Sequence, residues 1–170
     1  MKKLVSVLVG MVMAVTVAAC GSSTSKGQGN GSASKDGYVF SYNNVEVTMD
    51  QKSSEVVEKL GEYKYFEAPS CADKSVGKTY TYGDGKVEVG TYQNEGQDLV
   101  GYVYVKDASI PTKEGVKVGD SVDAIKKAYS DATDEGGLYQ CKKGNMTLKF
   151  IVTDGVIEEI DYCSNATKGA

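Results

Sequence analysis

The residue types that do chemistry are few in this chain, and their spacing narrows them further. Among 170 residues there is no histidine and no tryptophan, and every basic side chain is a lysine. Without histidine, the commonest general base and metal ligand are missing. A Ser-His-Asp or Cys-His site cannot be assembled from this chain. Glu158 and Glu159 are adjacent on an alternating run and point to opposite faces, so they cannot act as a glycosidase pair. Ser75-Val76-Gly77-Lys78 has the Ser-x-x-Lys spacing of some acyl-transfer enzymes, with no accompanying motif. Asp131, Asp134 and Glu135 crowd one loop without EF-hand spacing and read as solvated charge. The expectation is a protein without catalytic residues, metal site or cofactor.

Tyrosines and cysteines remain. There are 12 tyrosines against 3 phenylalanines. Tyr80, Tyr82, Tyr92, Tyr102 and Tyr104 share the parity opposite the core-type valines and are expected to line one open sheet face. Tyrosine joins a large contact area to a polar tip, which suits a binding surface. The bland reading is that the rings cover a sheet or face a neighbouring unit. Of the 4 cysteines, Cys141 and Cys163 are expected to face away from the helix and to form a disulfide. With a strand between them they would lie about 10 Å apart, so Cys163 would have to curl back. Cys71 with Cys141, and Cys71 with Cys163, are the rival pairings. No arginine or histidine lies near Cys71 in sequence to lower its thiol pKa.

Cys20 has a different setting. Lys2 and Lys3 precede an apolar run, Leu4 to Ala19, that is short for a membrane span of about 20 residues. The run ends in Val17-Ala18-Ala19-Cys20-Gly21, which resembles the lipobox of bacterial lipoprotein precursors. That resemblance implies removal of residues 1–19, a diacylglycerol thioether on Cys20, and an extracytoplasmic body lipid-anchored to the membrane. Residues 20–37 form the lipidated cysteine and a Gly/Ser tether with no apolar side chain large enough to offset its ordering entropy. Its reach is on the order of 20–25 Å.

Beyond the tether the pattern changes to alternating and helical periods. Ser54 to Leu60 and Ser121 to Tyr129 read as short amphipathic helices, with Val56, Val57 and Leu60, and then Val122, Ile125, Ala128 and Tyr129, on their apolar faces. Each is followed by three alternating runs. Val87, Val89 and Thr91 match Met146, Leu148 and Phe150; Val103 and Val105 match Ile160 and Tyr162. The fold class expected is α+β: two tandem units, each a short helix packed on an antiparallel β-meander. The units are 38–106 and 115–163, with a linker over 107–114 and a disordered tail over 164–170.

A helix and meander repeated in tandem in an exported chain resembles the β-lactamase inhibitory protein fold, and the single half-unit resembles BamE-type (SmpA/OmlA) lipoproteins. Phe66-Glu67-Ala68-Pro69-Ser70-Cys71-Ala72, Tyr80-Thr81-Tyr82-Gly83 and residues 112–121 (TKEGVKVGDS) are similar to uncharacterised clostridial-type lipoproteins. In the inhibitor the sheet face is the recognition surface, which implies a protein or cell-wall partner here; BamE implies a structural or assembly role in the envelope. A net charge of −4 without arginine argues against nucleic acid.

Overall fold

The computed structural model describes residues 36–67 and 76–167. It opens with a two-stranded hairpin, β1 (Phe40–Tyr42) and β2 (Val45–Val47). Its turn residues Asn43 and Asn44 both take positive φ, 50° and 62°, the geometry whose twist matches that of paired strands. Helix α1 (Ser53–Leu60) buries Val56 and Leu60. It ends at Gly61, whose φ of 86° an L side chain rarely adopts. Next come β3 (Lys64–Glu67), β4 (Val76–Tyr82), β5 (Val87–Asn94) and β6 (Gln97–Val105). Helix α2 (Val122–Ala128) follows, then β7 (Thr133–Asp134), β8 (Leu138–Lys143), β9 (Met146–Thr153) and β10 (Val156–Ser164).

The strands form one eight-stranded sheet in the order β3-β4-β5-β6-β10-β9-β8-β7. Every pairing in it is antiparallel. This corrects the expected architecture. The protein is mostly β with two short helices, not two tandem helix-on-meander units of an α+β fold. The physical reason is the central pairing of β6 with β10, Ile160 opposite Val105 through Cys163 opposite Tyr102. It merges what would have been two small sheets, each too small to be stable alone. The segment 107–114 is no spacer either. Ile110 and Thr112 are buried, and Ile110 belongs to the common core.

Two rows of side chains cross the sheet on its covered face. One runs Tyr82, Val87, Val105, Ile160, Phe150, Tyr139; the other runs Tyr80, Val89, Val103, Tyr162, Leu148, Cys141. Val56 and Leu60 of α1, Ile125 of α2, and Phe40 and Val47 of the hairpin join these rows in a single core cluster. Both helices therefore serve one face. Among the described residues, no helix contributes to the other.

The end of the chain is also held. Ser164 is buried, the Asn165 N–H donates to the Asn145 carbonyl at 2.9 Å, and the Thr147 hydroxyl donates to Asn165 Oδ1 at 2.8 Å. The expected disordered tail is thus corrected for residues 164–167, because its polar groups find partners on β9 and its turn; residues 168–170 lie outside the described residues.

Asp50 ties these parts together. It sits in the left-handed region at φ 65°, which aspartate tolerates better than most residues. Its N–H donates to Val100 O at 2.9 Å. Its carboxylate accepts from Tyr92 Oη at 2.8 Å, from Asn145 Nδ2 at 2.8 Å, and from the Ser164 hydroxyl. A single residue ahead of α1, Asp50, thus bonds to β5, the β8–β9 turn and the end of β10. Asp50→Ala is expected to cost about 2–4 kcal/mol through the unpaired donors it leaves. Urea unfolding at neutral pH measures this, and a loss below about 0.5 kcal/mol would show that water replaces the carboxylate freely.

Candidate functional site

The face opposite the helices carries the polar half of the alternation. One row there runs Glu88, Tyr104, Asp161, Lys149, Gln140, on β5, β6, β10, β9 and β8 in turn. The neighbouring row runs Gly90, Tyr102, Cys163, Thr147, Lys142. Tyr102 and Tyr104, two apart on β6, stack with ring centroids 4.2 Å apart and planes 21° from parallel. Both are half-buried. Gly90 makes this possible: a Cβ there would lie 2.0 Å from the Tyr102 ring. The ring occupies the space that a side chain on β5 would fill, and its hydroxyl lies 3.0 Å from that of Thr79 on β4.

Beside the rings is a cluster of charge. Lys106 Nζ lies 3.2 Å from Glu88 Oε1 and 3.4 Å from Glu159 Oε2. Glu159 and Asp161 lie on the same side of β10 as neighbours. Asp161 is 7% exposed, and its Oδ1 has no hydrogen-bond partner. Burial, and then the Glu159 carboxylate beside it, push its pKa up to about 7; Lys149 and Lys106 oppose the shift. A protonated carboxyl can donate a hydrogen bond where a carboxylate only accepts. Tyr104, between Glu88 and Asp161, has its phenol pushed above the ordinary range by burial. Such an arrangement sets flat aromatic surface beside a carboxyl group whose Oδ1 is buried and unpaired.

The five expected tyrosines do not share this face. Tyr102 and Tyr104 lie on it. Tyr80 and Tyr82 lie directly opposite Val89 and Val87 and belong to the covered face. Tyr82 is 2% exposed, and its buried hydroxyl has no partner. Tyr92 is buried, its hydroxyl committed to Asp50. The alternation held for Tyr102 and Tyr104 on β6, failed at Tyr92 on β5, and does not carry across a turn. The connection over residues 83–86 sets Tyr82 opposite Val87, so an even and an odd position share a face. Glu159 and Asp161 were missed. Their signal was present in the Ile160 and Tyr162 alternation, which sends the residues between and before them to the other side.

The expected disulfide is corrected as well. Cys141 and Cys163 are both free and buried. They stand on β8 and β10 with β9 between, and Cys141 lies in the core row while Cys163 lies in the open-face row. Burial raises both thiols to about 11, so neither is a ready nucleophile. Cys20 and Cys71 lie outside the described residues.

Other concavities are shallow. A groove of about 350 Å³ between the start of α1 and β4–β6 includes Lys52, Ser53 and Lys78, but the Lys78 ammonium is already 2.7 Å from Asp98. Among the described residues, no group of three or more acidic, cysteine or histidine side chains is placed to hold a metal. No described helix is long and apolar enough to cross a membrane.

No family model and no curated protein matches this chain. Two solved structures are similar. One is the uncharacterized protein YfeY from Escherichia coli, at 14% identity and TM-score 0.45, covering 69% of this chain and 92% of that one. The other is a DUF4309 family protein, YjgB, from Bacillus subtilis, at 15% identity and TM-score 0.39, covering 66% and 78%.

The carboxyl pair makes stability depend on pH in a definite direction. Asp161 has a folded pKa above its unfolded value of about 3.9, so the unfolded chain gives up its proton first and stability falls as pH rises from about 4 to 7. Asp161→Asn removes that loss while keeping a donor toward Glu159. It is expected to stabilise the fold by about 2 kcal/mol at pH 8 and to be neutral at pH 4. Urea midpoints at the two pH values test this, and an equal effect at both refutes it.

Proposed function

We propose that this chain is a lipid-anchored, extracytoplasmic, non-catalytic binding module that engages a partner protein through the open sheet face around Tyr102 and Tyr104. The observation that carries the reading is the stacked, half-exposed tyrosine pair beside a carboxyl cluster on the face the helices leave bare. Aromatic side chains held rigid cost little entropy on binding and contribute most where they are desolvated. The leader, Cys20 and the Gly/Ser tether support the anchored part of the reading, since two acyl chains hold a protein at a bilayer where one does not. The absence of histidine and the high thiol pKa values favour binding over catalysis.

Two experiments address the two halves. Radiolabelled palmitate is expected to enter the full chain and to be absent from Cys20→Ala; labelling that survives the substitution removes the anchor. For the face, a photo-crosslinking p-benzoylphenylalanine at exposed Lys142 is expected to give one discrete adduct in intact cells. The same group at Glu58 on α1 should give none. Adding Tyr102→Ala and Tyr104→Ala should lower the Lys142 adduct at least tenfold, and an adduct indifferent to both tyrosines overturns the reading.

A further inference from the structure

The groove at the start of α1 has a chemistry of its own. Lys52, Ser53 and Ser54 line one side of its roughly 350 Å³, and Lys78, Gln97 and Asp98 line the other. The helix start is fixed against β6: the Asp50 N–H donates to Val100 O and the Val100 N–H to Gln51 O, both at 2.9 Å. A helix leaves its first N–H groups without intrahelical acceptors, here those of Ser53, Ser54 and Glu55. The cap position holds Lys52, whose ammonium cannot accept from them, and no side chain caps them.

Ser53 points to a ligand independently. It is 3% exposed, and among the described residues its hydroxyl has no hydrogen-bond partner. Unlike the sealed Tyr82 hydroxyl, that oxygen keeps access to solvent, and the surface that Ser53 lines is the groove. A hydroxyl so nearly buried, with no protein partner, is available to donate to an oxygen lodged beside it.

The charge of the groove selects the oxygen's owner. The Lys78 ammonium lies 2.7 Å from Asp98 Oδ2, and Gln93 Nε2 donates to Oδ1, so that carboxylate is already satisfied. Lys52 is exposed and has no ion pair among the described residues. Two lysines less one carboxylate leave a charge of +1, to which a helix N-terminus adds roughly half a charge. Glu55 is exposed and does not line the groove. A carboxylate would bring one negative charge and two oxygens. A phosphate monoester brings about −1.5 to −2 and three strong acceptor oxygens, which fits both the charge and the number of donors better.

We propose that the groove binds the phosphate group of a phosphate ester, held by the first N–H groups of α1, the Ser53 hydroxyl and the Lys52 ammonium. Asp98 holds Lys78 back and so tempers the affinity. This site lies apart from Tyr102 and Tyr104, and its test does not bear on the open-face reading.

The test uses the full chain, labelled with nitrogen-15, in dodecyl maltoside at pH 7.5, with glycerol 3-phosphate as the probe. Saturable downfield shifts of the Ser53, Ser54 and Glu55 amide protons are expected. Ser53→Ala and Lys52→Gln should each raise the dissociation constant roughly fivefold or more. Lys59→Gln, the same charge change in the last turn of α1, should leave it unchanged. Asp98→Asn, which releases the Lys78 ammonium, should lower it several-fold. Acetate should bind at least tenfold more weakly. A second arm places the chain in phosphatidylglycerol nanodiscs without added ester. Shifts of the same amides there, relative to detergent, identify a lipid headgroup as the source of the phosphate; shifts with the soluble ester alone identify a soluble one. Amides that stay still in both arms, binding indifferent to both Ser53→Ala and Lys52→Gln, or equal affinity for acetate overturn the proposal.

Discussion

Four residue pairs, Ile160 with Val105 through Cys163 with Tyr102, join β10 to β6 at the middle of the sheet, and nearly everything else follows from that seam. A meander of three or four strands has two exposed edges and one apolar face, and cannot bury enough surface to stand alone. Pairing β6 with β10 removes one edge from each half and aligns their apolar rows into one surface. Val103 and Val105 meet Tyr162 and Ile160, so the core continues across the seam without a break. The outer edges are left to short strands, β3 with four residues and β7 with two, which limits unpaired backbone.

The same seam builds the open face. Alternation requires that where valines and isoleucines meet on one side, the residues between them meet on the other. Tyr104 therefore faces Asp161, and Tyr102 faces Cys163. Each comes from a different half of the sheet, more than fifty residues apart in sequence. The raised pKa of Asp161 and the stacking of the tyrosines are by-products of one register. A shift of that register by one residue would send the carboxyl groups into the core and the valines to solvent.

Gly90 shows how closely the two faces are linked. Its lack of a side chain opens the space that the Tyr102 ring fills, while its neighbours Val89 and Thr91 are buried. β6 then changes register between Tyr102 and Val100, leaving Gly101 as the extra residue. Bulges of this kind re-aim side chains near functional surfaces. Here the bulge separates Tyr102 and Tyr104, on the open face, from Tyr92, which turns to Asp50 and the start of α1.

The amino-acid sequence by itself determined the local elements: alternating strands around Val87, Val103, Leu148 and Ile160, two short amphipathic helices, and turns at Gly85 and Gly144. It also determined what chemistry was out of reach, since a chain without histidine or arginine cannot acquire them by folding. It did not determine which strands pair across the middle or which side chains share a face. Alternation has a period of two and is read within a strand, whereas turn lengths and the bulge set the phase between strands. Tyr82 and Tyr104 look equivalent along the chain, and only pairing with Val87 and Asp161 sends one to the core and the other to the open face. Tertiary structure likewise parted Cys141 from Cys163 and brought Asp161 to Tyr104, because contacts between residues so far apart are fixed by strand order and by nothing local.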